Sequence, residues 1–216
     1  MRNTEIDYDA KEFFETRFRK YGKHSLKGVG NSGFSELRNY IQYRKARRIF
    51  FKMVKDLNLK EDAKILEIGY GSGFYTKVIN SLGFKNYMGV DIVDVFKESL
   101  ESEFPQYKFM QMDTCAKKID FKECDLIFMI DVTQHMVNDK RFAFCLKNNV
   151  LKNLSKNGFF IATDELEDKV YSFYEVSRTI EFYEKALGMK LIYKPIKFRD
   201  KFIFSFGQIA YLQDKL

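Results

Sequence analysis

A glycine-rich turn after a short apolar run is the segment whose residue types point most directly to chemistry. The apolar run Lys64–Ile68 is followed by Gly69, Gly71 and Gly73, and an amphipathic stretch begins at Phe74. Glycines let the backbone bend sharply and approach a ligand closely. The start of the following helix presents free N–H groups to a polar or anionic group. The pattern predicts a nucleotide site at the carboxyl ends of parallel strands.

The spacing of the glycines separates the known nucleotide motifs. The dinucleotide fingerprint is G-x-G-x-x-G, but here the third glycine comes one residue early and Phe74 stands in its place. A P-loop is excluded because no Gly-Lys-Ser/Thr sequence follows. An acid, Glu67, stands two residues before the first glycine.

The motif, an acid followed by G-x-G-x-G at the end of a strand, resembles the first motif of the class I S-adenosylmethionine-dependent methyltransferases. The resemblance covers about residues 60–212 and extends to acids at later strand ends. It implies S-adenosylmethionine as cofactor. The implied cofactor-binding residues are Glu67, Gly69, Tyr70, Gly71, Gly73, Asp91, Ile92, Met112, Asp113 and Asp131.

Three of these implied contacts have stated roles in the family. The glycine turn, with Glu67, would hold the methionine part of the cofactor. Asp91, 22 residues after Gly69, would accept hydrogen bonds from both ribose hydroxyls, a charge-assisted bidentate contact. Asp113 would lie near the adenine amino group, with Met112 packed on the ring. Acids that merely begin loops are the alternative interpretation.

The end of the fourth predicted strand is the expected catalytic end. Methyl transfer is an in-line displacement, so the protein mainly aligns the two reactants and excludes water. If the acceptor is an alcohol, His135 is the candidate base because the pKa of histidine lies near neutrality. Asp131 could instead be the base or contact the amino group of the cofactor. A structural role for His135, capping the loop, is the alternative.

Two other chemistries are weighed at the same strand ends. Asp131 with Asp164 and Glu165 could hold Mg²⁺, which prefers oxygen ligands, but our prediction is that the chain has no metal site. The N/D-P-P-Y box of the amino methyltransferases is absent, since Asp131 is followed by Val-Thr-Gln. That absence counts against methylation of adenine, of the exocyclic cytosine nitrogen and of glutamine amides.

The elements that must position these residues alternate between strands and helices from about residue 63. This alternation predicts a doubly wound α/β fold with helices on both faces of the sheet. The predicted strands are Lys64–Ile68, Tyr87–Val90, Lys108–Met112, Asp125–Ile130 and Gly158–Ala162, and the predicted helices are Phe74–Leu82, Val93–Phe104 and Lys140–Leu154.

The C-terminal part of the chain completes the predicted sheet. A last helix is predicted from Glu175 to Leu187, and Gly188 is a suitable stop. Strands near Lys190–Tyr193 and Phe202–Tyr211 have no helix between them, so they should pair as an antiparallel hairpin. The sheet then has seven strands, mostly parallel, with this hairpin at its end.

Residues 1–60 form a predicted helical N-terminal extension, and 61–216 the methyltransferase core. The extension has a short helix over Asp9–Tyr21, a glycine-rich loop, and a helix from Ser35 to about Leu57. The apolar face of the second helix should include Leu37, Tyr40, Ile41, Ile49, Phe50, Met53, Val54 and Leu57.

The glycine-rich loop could close over the cofactor as a lid, because such loops are mobile. Arginines on the second helix would suit a phosphate or a carboxylate. The predicted substrate-binding residues are Tyr21, His24, Asn31, Tyr43 and Arg44. A stabilising cover whose arginines face water is the alternative interpretation.

Charge and composition limit the classes of molecule that the protein is expected to bind. Residues 1–60 hold 15 Lys/Arg against 7 Asp/Glu, and the whole chain carries a net charge of +7. Such a field attracts anionic partners. A loose resemblance in layout to small methyltransferases of bacterial polysaccharide gene clusters implies a sugar, nucleotide-sugar or phosphate-linked acceptor. The alternative is an RNA methyltransferase that uses the basic segment. The sequence has no RNA-binding module signature, so we do not expect a nucleic-acid partner.

The remaining features predict a cytoplasmic protein. Three cysteines without C-x-x-C spacing and only two histidines argue against zinc and for reduced thiols. We expect no membrane-spanning helix, since no stretch of about 18 apolar residues occurs. The charged N-terminus does not resemble a signal peptide. The oligomeric state is left open.

Overall fold

A seven-stranded sheet forms the centre of the protein. The computed structural model describes residues 8–22, 25, 28, 30 and 33–207. The strands of the main sheet are β1 Lys64–Ile68, β2 Asn86–Asp91, β3 Lys108–Gln111, β4 Cys124–Met129, β5 Leu154–Asp164, β8 Lys190–Phe198 and β9 Lys201–Gly207. A separate two-stranded ribbon consists of β6 Lys169–Ser172 and β7 Glu175–Ser177.

The strand order is β3-β2-β1-β4-β5-β9-β8. Strands β1 to β5 pair in parallel, while β9 pairs antiparallel with both β5 and β8. The fold class predicted from the sequence is confirmed, including the antiparallel C-terminal pair. The order reverses between β1 and β4, and a ligand crevice is expected outside the carboxyl ends of the strands at that point.

Helices lie on both faces of this sheet. They are α1 Ala10–Tyr21, α2 Glu36–Asp56, α3 Phe74–Ser81, α4 Lys97–Glu103, α5 Asp139–Cys145 and α6 Ile180–Leu187. The apolar face of β1 and β4 that holds Ile65 and Phe128 packs with Phe50 of α2, and the opposite face packs with Phe142 and Tyr183. The extension therefore shares a hydrophobic core with the sheet.

The predicted helix Glu175–Leu187 is wrong in its first part. Residues Glu175–Ser177 form strand β7, and the helix begins only after Thr179, whose backbone is extended. Val176 continues the apolar spacing of the helix, which explains the prediction. It is instead buried in the ribbon, where the Glu167 N–H donates to Ser177 Oγ at 3.0 Å.

The predicted helix Lys140–Leu154 is also divided. Helix α5 passes at Leu146–Leu151 into a π-helical segment, and β5 already begins at Leu154. The buried side chain of Asn149 bonds to the backbone of a neighbouring loop, accepting from Ile119 N at 2.7 Å and donating to Thr114 O and Lys117 O. We interpret these bonds as stabilising the wider turn.

The predicted apolar face of α2 is partly wrong. Its C-terminal members are buried, but Leu37, Tyr40 and Ile41 are 68%, 55% and 58% exposed. At 100° per residue these three lie on the same face as Arg44, opposite the buried stripe that contains Tyr43. Ser35 caps the helix as predicted, accepting from Arg38 N at 3.2 Å.

Three other boundaries differ from the predicted ones. Helix α4 begins four residues after the start of the predicted Val93–Phe104, β5 begins four residues before the predicted Gly158–Ala162, and β8 ends five residues after the predicted Lys190–Tyr193. The end of the predicted strand Phe202–Tyr211 extends into residues 208–211, outside the described part of the chain. Among the helices that are described, none combines the length and apolarity needed to cross a membrane.

Candidate active site

A cavity of about 530 Å³ lies at the carboxyl edge of the parallel strands, where the order reverses. Its volume is in the range of small-molecule sites. The sheet supplies the lining residues Gly69, Tyr70, Gly71, Asp91, Ile92, Met112, Asp113, Asp131 and His135, all predicted from the sequence. Helix α1 forms the opposite wall with Phe14, Arg17 and Phe18.

The turn after β1 requires glycine at two of its positions. Gly69 has φ +87° and Gly73 has φ +77°, both in the region that side chains disfavour. A Cβ on Gly69 would collide with the side chain of Val132, and one on Gly73 with Leu100. The turn thus packs tightly against its neighbours and brings the backbone of Gly71 to the cavity.

Glu67 lies beneath this turn and outside the cavity lining. It is 2% exposed, accepts from Thr76 Oγ1 at 2.9 Å, and also accepts from the hydroxyl of Tyr87. Burial raises the pKa of Glu67 to about 8 despite these two hydrogen bonds, which favour the charged form. Glu67 therefore connects β1 to α3 and β2 from within the core.

Asp91 ends β2 with its carboxylate at the cavity. Its Oδ2 accepts from Gly71 N at 2.8 Å, and its Oδ1 accepts from Val93 N at 3.1 Å. Each oxygen can accept a further hydrogen bond. Desolvation raises the pKa of Asp91 to about 6 against the effect of these backbone donors. The carboxylate is oriented by the backbone and still able to bind a pair of hydroxyls.

Asp113 follows β3, farther along the same edge. Its Oδ1 accepts from Cys115 N at 2.8 Å, and its Oδ2 accepts from Arg141 Nη2. Met112 and Ile92 line the cavity beside it. The arrangement offers apolar surface for a ring next to a fixed carboxylate.

A buried ion pair occupies the other end of the cavity. The carboxylate of Asp131 accepts a hydrogen bond from Arg199 Nη1. Both residues have a left-handed backbone, each with φ +60°. The guanidinium lies 4.5 Å from the ring centroid of Tyr43. Burial lowers the pKa of Arg199, but its acidic and tyrosine neighbours together, led by the Asp131 carboxylate, raise it above the ordinary value.

Comparisons with known proteins agree with this geometry. Residues 66–162 match the family model described as "Methyltransferase domain". The matched segment contains the glycine turn, Asp91, Asp113, Asp131 and His135, and its fold is that of the class I S-adenosylmethionine-dependent methyltransferases. No curated protein has a matching sequence.

Solved structures similar to this methyltransferase domain share its fold at low sequence identity. A S-adenosylmethionine-dependent methyltransferase from Clostridium acetobutylicum has a TM-score of 0.66 and 16% identity, over 88% of this chain and 98% of that one. The N-methyltransferase NodS from Bradyrhizobium japonicum, in complex with S-adenosyl-L-homocysteine, has a TM-score of 0.59 and 15% identity, over 75% of this chain and 87% of that one. A TehB-like methyltransferase from Corynebacterium glutamicum has a TM-score of 0.59 and 15% identity, over 91% of this chain and 97% of that one.

His135 of the methyltransferase domain lies in the short turn after β4. Its Nδ1 is 2.9 Å from the carbonyl oxygen of Tyr174, so this nitrogen carries the proton. Its Nε2 is 3.2 Å from Nε2 of Gln134, whose amide donates to it. Burial lowers the pKa of His135 to about 3. The imidazole is neutral and ties the turn to the β6–β7 ribbon.

The predicted substrate-binding residues lie in different places. Tyr43 is buried and lines the cavity, whereas Arg44 is exposed on α2 and Tyr21 ends α1, both outside the lining. His24 and Asn31 lie outside the described residues.

Several residues that line the cavity were not predicted from the sequence. Aromatic contacts hold α1 over the cavity: Phe13 stacks on Tyr174 at 4.7 Å, and Phe14 meets the His135 ring at 5.1 Å. Lys201, at the start of β9, is almost fully buried, 3.6 Å from Glu175. The sequence held one usable signal for Lys201, since a strand antiparallel to β5 must begin at the carboxyl edge.

Two of the three acids considered for Mg²⁺, Asp131 and Asp164, have protein partners. Asp131 is paired with Arg199, and Asp164 is buried and accepts from the Tyr183 hydroxyl at 2.6 Å. Within the described residues, no group of three or more His, Cys, Asp or Glu side chains is placed to hold a metal ion. Cys115, Cys124 and Cys145 are free thiols.

Proposed function

We propose that this domain transfers the methyl group of S-adenosylmethionine to a small molecule held under α1. One observation carries the proposal: the glycine turn and Asp91 open into the same cavity as Asp131 and His135. A single space therefore contains the residues proposed for the cofactor and those proposed for the acceptor.

The residues present fit S-adenosylmethionine. The oriented carboxylate of Asp91 suits two adjacent hydroxyls, and close packing of Gly69 against Val132 keeps the backbone of the turn at the cavity. We propose that the turn, with Tyr70, holds the methionine part, and that Ile92, Met112 and Asp113 hold the base.

Two buried residues of the motif, Glu67 and Gly73, support the turn without lining the cavity. We propose that Glu67 and Gly73 shape the turn and the start of α3, since neither lines the cavity. The cofactor supplies an activated methyl group on a sulfonium. The work of the protein is then to align the acceptor with it and to exclude water.

The residues at the acceptor end are suited to aligning the acceptor and excluding water. Arg199 fixes the carboxylate of Asp131, and the rings of Phe14, Phe18 and Tyr43 limit access of water to the cavity. His135 holds the ribbon over the site, and because its Nε2 already accepts from Gln134, it can take an acceptor proton only if that contact is released. We therefore propose alignment as its main contribution.

The acceptor is proposed to be a small polar molecule. Arg17, Arg199 and Lys201 line the cavity and can pair with an oxyanion, which supports a sugar, nucleotide-sugar or phosphate-linked acceptor of the kind used in surface polysaccharide synthesis. Acids line it as well, so hydroxyls could be bound by both kinds of group. The enclosing helix α1 favours such a molecule over RNA.

A labelled-methyl assay tests this proposal. The protein is incubated with S-adenosyl-L-[methyl-³H]methionine and, in separate reactions, with phosphorylated sugars, nucleotide-sugars and total RNA, with Asp91→Asn as the matched control. We expect label in a small-molecule product, and much less of it with Asp91→Asn when the cofactor concentration is below the wild-type Kd. Label in RNA, with binding that weakens steeply as salt rises, would support the RNA alternative instead.

A further inference from the structure

The end wall of the cavity beside Asp113 separates it from a second cavity of about 540 Å³. The two cavities share six lining residues, Tyr8, Ala10, Ile92, Met112, Asp113 and Arg141. The second cavity continues between the start of α1 and the end of β3, where its further lining includes Asp9, Lys11, Gln111 and Lys117. Its surface is therefore polar, and it lies beyond the residues proposed to hold the base.

The ion pair between Arg141 and Asp113 stands at this boundary. Both side chains are partly exposed, at 54% and 30%. Arg141 is held through its backbone, since Arg141 N donates to Asn138 Oδ1 at 3.0 Å, and the Asp113 side chain is held by Cys115 N, which donates to its Oδ1 at 2.8 Å. The pair thus joins the start of α5 to the turn after β3.

A guanidinium in this position acts by its size as well as its charge. Arg141 holds one oxygen of Asp113 and so leaves a defined edge of that carboxylate toward the cavity. Arg141 also lines both cavities, so truncating its side chain would widen the boundary between them. A group attached to the edge of the base that faces Asp113 would meet Arg141.

We propose that Arg141 is a specificity-determining residue, which closes the base end of the cofactor cavity against substituents on the adenine amino group. This inference rests on the proposed function. Removing the side chain joins the cavity to its polar neighbour, which has room for the substituent.

Calorimetric titration tests the inference without any turnover. S-Adenosylhomocysteine and its N6-benzyl derivative are titrated into the wild type, Arg141→Ala, and Arg44→Ala as a matched loss of an exposed arginine outside the cavity. We expect the wild type and Arg44→Ala to prefer the unsubstituted ligand strongly. In Arg141→Ala this preference should fall by at least about tenfold, mainly through tighter binding of the benzyl derivative.

The outcomes separate this inference from the proposed function. An unchanged preference in Arg141→Ala, with unsubstituted ligand still bound, overturns the role of Arg141 and leaves the cofactor assignment intact. Failure of the wild type to bind S-adenosylhomocysteine overturns the proposed function, and the inference with it. If Arg141→Ala melts at a lower temperature, Arg141→Ser is titrated in its place under the same criterion.

Discussion

Asp91 combines two properties that determine how the site should respond to pH. Its oxygens are oriented by Gly71 and Val93, and desolvation raises its pKa to about 6. The ionised form is the one that accepts two hydroxyl hydrogen bonds. Affinity for S-adenosylhomocysteine should therefore be constant above about pH 7 and fall as pH drops through 6.

The substitution Asp91→Asn removes both the charge and this titration. We expect affinity to fall at least about tenfold, because a hydrogen bond to a charged group contributes ~1.5–3 kcal/mol. The remaining affinity should not change with pH between 5 and 8. Unchanged affinity in this variant, measured by calorimetry, would mean that the ribose lies elsewhere.

His135 should not produce a titration near neutrality. With its pKa lowered to about 3, it is neutral throughout pH 5–8, so kcat at saturating cofactor should show no limb that belongs to this residue. His135→Ala should lower kcat by a similar factor at every pH while cofactor affinity stays similar. His135→Asn, which can still donate to Tyr174, should recover part of the loss.

A different result for His135 would change its assigned role. A limb near pH 6.5 in the wild type that disappears in His135→Asn would identify a proton-transferring base with an ordinary pKa. Full activity of His135→Ala would mean that His135 contributes neither alignment nor proton transfer to the reaction.

Glu67 should make stability depend on pH in an unusual direction. Its pKa is raised to about 8 by burial, so between pH 4.5 and 8 the folded state keeps a proton that the unfolded state has lost. Its contribution to the free energy of unfolding therefore decreases as pH rises through this range. In Glu67→Gln this dependence should vanish.

Thermal melting of the wild type and Glu67→Gln at several pH values checks this. The melting temperature of Glu67→Gln relative to the wild type should increase from pH 5 to pH 8. A difference that is independent of pH, or that shrinks, would contradict a raised pKa at this position.

At the scale of elements, the turn after β1 can be tested against a second glycine of nearly equal conformation. Gly69 has φ +87° and Gly83 has φ +88°, but only Gly69 would place a Cβ against another side chain, that of Val132. Both Gly→Ala variants incur the backbone strain of about 1–3 kcal/mol, whereas Gly69→Ala also creates a clash.

The free energy of unfolding in urea should therefore drop more for Gly69→Ala than for Gly83→Ala. Adding Val132→Ala to Gly69→Ala should recover part of the difference, since it removes the atoms that collide. Equal losses in the two single variants would show that packing against Val132 does not constrain the turn.

The elements that were predicted well are those whose patterns are local. Strands such as Lys64–Ile68 and helices such as Phe74–Ser81 follow from apolar runs and glycine stops. Residues Glu175–Ser177 were misassigned because Val176 fits the spacing of the next helix, while pairing with β6 determines the structure. Tertiary pairing is not visible in the periodicity of one segment.

At the scale of the whole molecule, the lining of the proposed cofactor end of the cavity was predictable from the sequence, and the lining of the proposed acceptor end mostly was not. The former consists of residues directly after successive parallel strands, as with Asp91 and Asp113. The latter depends on distant segments that meet only in the fold, such as Arg17 of α1 and Arg199 beside β9. The sequence predicted a short helix over Asp9–Tyr21 but not its place over the cavity.

The distribution of charge illustrates the same limit. The sequence assigned the positive field to residues 1–60, and arginines were expected at the substrate. In the structure Arg44 is exposed on the outer face of α2, while Arg199 and Lys201 at the C-terminal hairpin line the cavity. A local excess of charge does not reveal which side chains face inward.

Calorimetric titration of the wild type with S-adenosylmethionine, S-adenosylhomocysteine and NAD⁺ tests the central assignment most directly. We expect the first two to bind at one site per chain and NAD⁺ to produce no binding heat. Binding of NAD⁺ that competes with S-adenosylhomocysteine, or no heat with either adenosyl ligand, would contradict it.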